Sequence, residues 1–236
     1  MGSLQNFLDH MDWWGLITLL VSAVAALLCI TFHELSHGFA AYRLGDPTAK
    51  NAGRLTLNPI KHIDVMGLIM MIVVKVGWAK PVPVDMRYFK RPKRDMAITA
   101  LAGPVSNFLL ALAALLICSL LYNFGRVTHA SLIALCFFSN VAILSVGLGL
   151  FNLIPISPLD GSKVLFSVLP DRAYYTILRY EKYVMGLLIL LTFVGVFDKP
   201  LSFLIVGVLR GFCALTRFPL NALFQCQDVS WILNMF

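Results

Sequence analysis

His33, Glu34 and His37 stand in the order His-Glu-x-x-His, and on a helix that spacing has a chemical meaning. Residues four apart share one face, so both imidazoles can offer a nitrogen to one metal ion. Glu34 lies beside them as a carboxylate able to take a proton from water. The chemistry is metal-assisted hydrolysis. A catalytic zinc takes three protein ligands and keeps one position open, and His, His, carboxylate is a common set. We read Asp160 as the third ligand. Taken alone, Asp160-Gly161 is also a helix-breaking turn, and Glu181 is a competing carboxylate, although it lies among solvated charges from Arg179 to Lys182.

The surroundings of these residues make the pattern unusual. Residues 13–32, just before His33, contain no charge, so His33, Glu34 and His37 fall at membrane depth, where ionisable side chains are costly and mark function by default. The bland reading is two interfacial histidines and an unrelated glutamate. With 59% hydrophobic and 13% charged residues in 236, the composition is that of an integral membrane protein. The net charge of +7 does not indicate nucleic acid, because 11 of the 19 Lys and Arg lie between Arg43 and Arg94 and none precedes Arg43. By the positive-inside rule that stretch is cytoplasmic, the N-terminus is outside, and the active site lies toward the cytoplasmic side of a bacterial-type cell membrane. The first apolar run is long enough to span and lacks a basic leader, so it does not read as a cleavable signal. Five scattered cysteines, Cys29, Cys118, Cys136, Cys213 and Cys226, show no CxxC spacing and read as small hydrophobes.

The elements that must carry the site follow from the charge-free runs, at residues 13–32, 65–74, 96–125, 127–159 and 183–197. The expectation is an all-α polytopic membrane protein forming a single membrane-embedded domain over residues 1–236. Its catalytic core covers about 13–165 and further transmembrane helices cover about 183–217. The run 65–74 is too short to cross. Because 53–84 is rich in β-branched residues punctuated by Asn58-Pro59, Gly67, Gly77 and Pro81-Val82-Pro83, we expect a re-entrant β-hairpin or extended loop there, with an amphipathic surface helix as the alternative. Runs 96–125 and 127–159 form a helical hairpin turning near Gly125. The first contains Gly103-Pro104, where the glycine permits close helix approach, and Asn107, which takes either a plain interhelical hydrogen bond or a role in the site. The second ends at Asn152 because Pro155 and Pro158 cannot continue a helix, which presents Asp160 at the depth of the histidines. Asp198-Lys199-Pro200 reads as an external turn between the last two spans.

Phe32-His33-Glu34-Leu35-Ser36-His37, Gly53-Arg54-Leu55-Thr56-Leu57-Asn58-Pro59, Gly77 through Val84, Gly103-Pro104 with Asn107, and Asn152 through Gly161 together resemble the site-2 protease family of intramembrane zinc metalloproteases. The resemblance covers about residues 30–165. It implies a three-helix catalytic core, one Zn2+ per chain held by His33, His37 and Asp160, and Glu34 as the base that activates water. It also implies a transmembrane protein as substrate and a bilayer as setting, with no nucleic acid. Asn152 and the following Pro155 and Pro158 would help to position substrate, and Asn152 or Asn107 would supply a donor to the oxyanion. The chain resembles the minimal members, without PDZ or CBS domain. It departs from the usual pattern at Ser36, where the family has a small Gly, and at Ser157, where a Pro is common. Two other classes compete: a membrane metal transporter with His33, His37 and Asp160 as transient ligands, and an inactive scaffold that binds membrane helices.

Overall fold

The computed structural model describes residues 13–64, 67 and 79–225, giving the backbone alone for 13, 14, 171–179 and 225. Eight α-helices follow in order: α1 Trp13–Arg43, α2 Thr48–Asn51, α3 Pro92–Phe124, α4 His129–Asn152, α5 Asp160–Val168, α6 Asp171–Phe193, α7 Asp198–Thr216 and α8 Leu220–Gln225. Short 3-10 turns occupy Pro59–His62 and Met86–Tyr88. The described residues contain no strand. Among the described residues four helices, α1, α3, α4 and α7, are long and apolar enough to cross a membrane.

Local sequence accounts for most helix ends. α1 stops where Gly45 adopts φ 110°, a left-handed conformation that glycine takes without steric cost. α3 begins with Pro92, whose missing N–H is not needed in a first turn, and Asp95 accepts the Arg91 N–H at 3.0 Å. Thr128 and Ser131 form a reciprocal capping box at the start of α4. α4 ends at Asn152, and residues 153–159 lead irregularly into α5, which opens on Asp160.

α3 packs most extensively on α4, and α1 packs on both. Small side chains dominate where they meet: Ala25 and Cys29 of α1, Ala111, Ala114 and Cys118 of α3, and Ala142 and Val146 of α4. In lipid, helix association depends on van der Waals contact, and small residues let backbones approach. Cys29, Cys118, Cys136 and Cys213 are buried and not joined in disulfides; Cys226 lies outside the described residues. Leu209 and Cys213 bring α7 onto the same core.

Two expectations change. The turn placed at Asp198-Lys199-Pro200 falls at residues 194–197 instead, with Gly195 at φ 78°, and Asp198 opens α7. Pro200 occupies the first turn of that helix, where no intrahelical partner for its nitrogen is lost. α6 starts at Asp171, before the expected 183. The core of the expected re-entrant β-hairpin, 65–66 and 68–78, lies outside the described residues. Its flanks are 3-10 turn and irregular backbone, joined where the Lys80 N–H donates to the His62 carbonyl at 3.0 Å.

Candidate metal centre

α1 continues for ten residues beyond His33, so His33 and His37 occupy one uninterrupted helical face as their spacing requires. α5 brings Asp160 to that face. The Asp160 Oδ2 lies 3.1 Å from His33 Nε2 and 2.9 Å from His37 Nε2, and the two Nε2 atoms are 3.1 Å apart. All three residues are buried. Among the described residues, they are the one group of three or more His, Cys, Asp or Glu whose donor atoms converge closely enough to share an ion.

The outer contacts decide which atoms face inward. His37 Nδ1 lies 2.7 Å from the Thr99 carbonyl of α3, and a carbonyl can only accept. Nδ1 therefore carries the proton, and neutral His37 points its Nε2 lone pair at Asp160 and His33. Asn107, fully buried, approaches His33 Nδ1 at 3.1 Å through Nδ2, while its Oδ1 has no partner. Amide O and N are assigned from the hydrogen-bond network. Turning the amide over lets Oδ1 accept from His33 Nδ1–H and frees the His33 Nε2 lone pair as well. Lys163, three residues after Asp160 on α5, donates from Nζ to Asp160 Oδ1 at 3.0 Å, leaving Oδ2 for the histidines.

Three lone-pair donors held this closely repel unless a cation lies among them. Ligands bound to zinc at about 2.0–2.1 Å in tetrahedral geometry are about 3.3 Å apart, so the observed 2.9–3.1 Å separations fit that ion with a small outward adjustment. Gly103 makes the fit possible. A Cβ there would overlap His37 Nε2 and lie 2.7 Å from His33 Cε1. The glycine thus accommodates the imidazole pair.

The group opens onto a cavity of about 520 Å³ also lined by Glu34, His62, Val82, Thr99 and Asn152. Glu34, half-buried, accepts the Val82 N–H on Oε2 at 2.9 Å. Val82 is held from behind. Arg54, buried, donates from Nη2 to the carbonyls of Lys80 at 2.6 Å and Pro81 at 3.4 Å. Asp46 accepts from Asp85 N at 2.7 Å and from Thr48, tying the end of α1 to the same segment. At its outer end the Arg87 guanidinium beside Asp85 holds that carboxyl below its ordinary value. Arg54→Ala is expected to lower kcat for peptide cleavage by about tenfold with zinc content unchanged, because it frees the segment that orients Glu34 without touching a ligand. A kinetic and metal analysis of the purified variant checks this, and the lost buried bonds are expected to cost about 1–3 kcal/mol of stability.

Of the other expected site residues, Asn152 and Pro158 line the cavity, and Asn152 Nδ2 donates one N–H to Leu148 O at 3.0 Å. Pro155 is exposed and is not part of the lining. Asn107 lies against His33 and is not among the residues that line the cavity. Glu181 accepts from Ser157 Oγ at 2.9 Å and takes no part in the cluster. The two departures from the family pattern are internally satisfied: Ser157 through Glu181, and Ser36 by donating to Phe32 O at 2.7 Å. The sequence reading named Arg54 and Val82 as parts of longer motifs but not the contacts they make here, and it did not single out Thr99 or Lys163 as site residues.

Among the described residues, four helices long and apolar enough to cross a membrane and a buried His, His, Asp set beside a glutamate in a cavity fit a membrane-embedded metallopeptidase. The comparisons agree. The family described as Peptidase family M50 matches residues 121–194. The chain is 37% identical over 178 residues to YwhC of Bacillus subtilis (strain 168), named as an inferred zinc metalloprotease, covering 75% of this chain and 81% of YwhC. It is 33% identical over 158 residues to Rip2 of Mycolicibacterium smegmatis and 30% identical to Rip2 of Mycobacterium tuberculosis (strain H37Rv), which carry the same kind of name. Each match covers 64% of this chain and 57% of the relative. No solved structure matches the chain. The chain belongs to peptidase family M50, the site-2 protease family.

Proposed function

We propose that the chain is an intramembrane zinc endopeptidase that hydrolyses peptide bonds within or near transmembrane segments of other membrane proteins. The observation that carries the reading is the convergence of His33 Nε2, His37 Nε2 and Asp160 Oδ2 on the wall of a cavity that also contains Glu34. His33, His37 and Asp160 would hold one zinc ion, with Thr99, Asn107 and Lys163 orienting them. When bound, zinc lowers the pKa of water toward about 7 and polarises the scissile carbonyl. Glu34, oriented by the Val82 N–H, takes the proton from the attacking water and returns it to the leaving amine. Asn152 lines the cavity and has a second N–H beyond the one given to Leu148, which suits it to stabilise the oxyanion; Asn107 positions His33 instead.

In this reading α1, α3 and α4 with α5 form the catalytic core within one membrane-embedded domain. The distribution of Lys and Arg supports an outside N-terminus and a cytoplasmic-facing site in a cell membrane. A transmembrane substrate must unwind locally before its carbonyl is reachable, and the extended 79–84 segment offers backbone groups to the unwound stretch. The transport reading would need ligand groups spaced along a path, whereas the described residues hold one. The test is cleavage of a panel of single-span proteins by the purified chain. Chelation is expected to stop cleavage and zinc to restore it; a zinc-loaded chain that cuts no member of the panel would count against the reading.

A further inference from the structure

Two residues that line the cavity each carry a buried polar atom with no partner among the described residues. His62, 1% exposed, closes the 3-10 turn Pro59–His62, and its Nε2 lies 2.9 Å from the Thr56 carbonyl. Because that carbonyl only accepts, Nε2 carries the proton, and Nδ1 of the neutral ring is an acceptor. Nδ1 has no partner. Thr99 Oγ1 is also buried without a partner, and both residues line the cavity with Glu34, His33 and His37. His62 is not one of the converging metal donors. Its backbone is fixed by the Lys80 N–H on its carbonyl, so the ring is held in place before anything binds.

A buried acceptor left unmet is costly, and each one in a native protein needs an explanation. Three acceptors in the same region already have donors: Glu34 Oε2 takes the Val82 N–H, and the Lys80 and Pro81 carbonyls take Arg54. A peptide unwound for cleavage exposes N–H groups as well as carbonyls, and at membrane depth no bulk water meets them. We propose that His62 Nδ1 accepts a hydrogen bond from a backbone N–H of the bound substrate, next to the bond that is cut. This deepens the protease reading and rests on it. The contact is independent of side-chain identity, so His62 contributes affinity for an unwound backbone and little sequence preference.

Two substitutions divide the imidazole. His62→Gln places an amide nitrogen where Nε2 was, keeping the bond to Thr56 and losing the acceptor. His62→Asn places an oxygen where Nδ1 was and loses the outer donor. Wild-type cleavage first locates the cut bond in a single-span peptide. Binding is then measured on the full-length zinc-loaded Glu34→Gln protein, using fluorescent peptides in which each amide within four residues of that bond is replaced in turn by an ester, which has no N–H. With His62 intact, one ester is expected to bind about 3- to 10-fold more weakly than the parent peptide. Adding His62→Gln is expected to weaken the parent by the same factor and abolish the response to that ester, whereas His62→Asn keeps the response. Zinc content stays unchanged throughout. Parental affinity in His62→Gln, or losses from ester and His62→Gln that simply add, would overturn the proposal. If His62→Gln fails to fold, the ester series on intact His62 still decides, because no sensitive position means no contact. Failure of the protease reading shows separately, as a wild-type chain that cuts nothing.

Discussion

Glu34→Gln is expected to abolish peptide cleavage, by about a hundred- to ten-thousand-fold, while the protein keeps its zinc and its fold. The residue is half-buried at the cavity and is not one of the three converging donors, so the metal set survives. Gln is isosteric, and its Oε1 can still accept the Val82 N–H that now goes to Glu34 Oε2 at 2.9 Å. What disappears is a group that can bind a proton and release it again. The measurement is initial cleavage rate beside zinc per protein in both forms. Loss of rate with zinc retained assigns the proton transfers to Glu34. Unchanged cleavage would remove Glu34 from the chemistry, and an unaltered cellular phenotype in Glu34→Gln would favour the scaffold reading instead.

The second large effect comes from a residue with no functional group. In Gly103→Ala the new methyl would overlap His37 Nε2 and lie 2.5 Å from His37 Cε1 and 2.7 Å from His33 Cε1. These are not flexible chain ends that can swing aside. His37 is anchored to the Thr99 carbonyl four residues earlier on the same helix, and His33 to Asn107 four residues later. Relief therefore requires α3 to move away from α1 or the rings to leave their outer partners. Loss of such a partner alone costs about 10–100-fold in metal affinity, and displacing both rings is expected to exceed the upper end of that range. Competition with a chelator of known affinity measures this directly, before any activity assay. Gly211→Ala is the control: nothing lies within 4 Å of a Cβ there, and alanine is the better helix former. Wild-type zinc affinity in Gly103→Ala would show that the histidines do not bind the ion in this arrangement.

Gly103 also illustrates how far local reading reaches. In the sequence it suggested close approach of two helices, which is correct in kind, but what fills the space is the pair of imidazoles from α1. Similarly, Asn107 in an apolar helix announced a needed partner, and only packing identifies that partner as His33 Nδ1. The turn before α7 was misplaced because Asp-Lys-Pro is a strong turn signal in isolation. A proline in the first turn of a helix is equally comfortable, and Gly195 takes the positive φ instead.

The sequence by itself determined the first three long helices, the end of α4 at Asn152, and the pairing of His33 and His37 with Glu34 beside them. Each of these depends on periodicity, charge-free length or proline chemistry within a few residues. It also presented Asp160 at the right depth, because a helix that spans a membrane carries its end to a known level. Only the tertiary structure decided that Asp160 Oδ2 meets both histidines, that the Thr99 carbonyl and the Asn107 amide lie against their Nδ1 atoms, and that Arg54 binds the backbone just before Val82, whose N–H meets Glu34. The physical reason is that several of these partners are backbone carbonyls and amides. Every residue but proline has both, so residue type carries no mark of them, and they become specific only when packed helices bring one such atom within about 3 Å of a side chain that needs it.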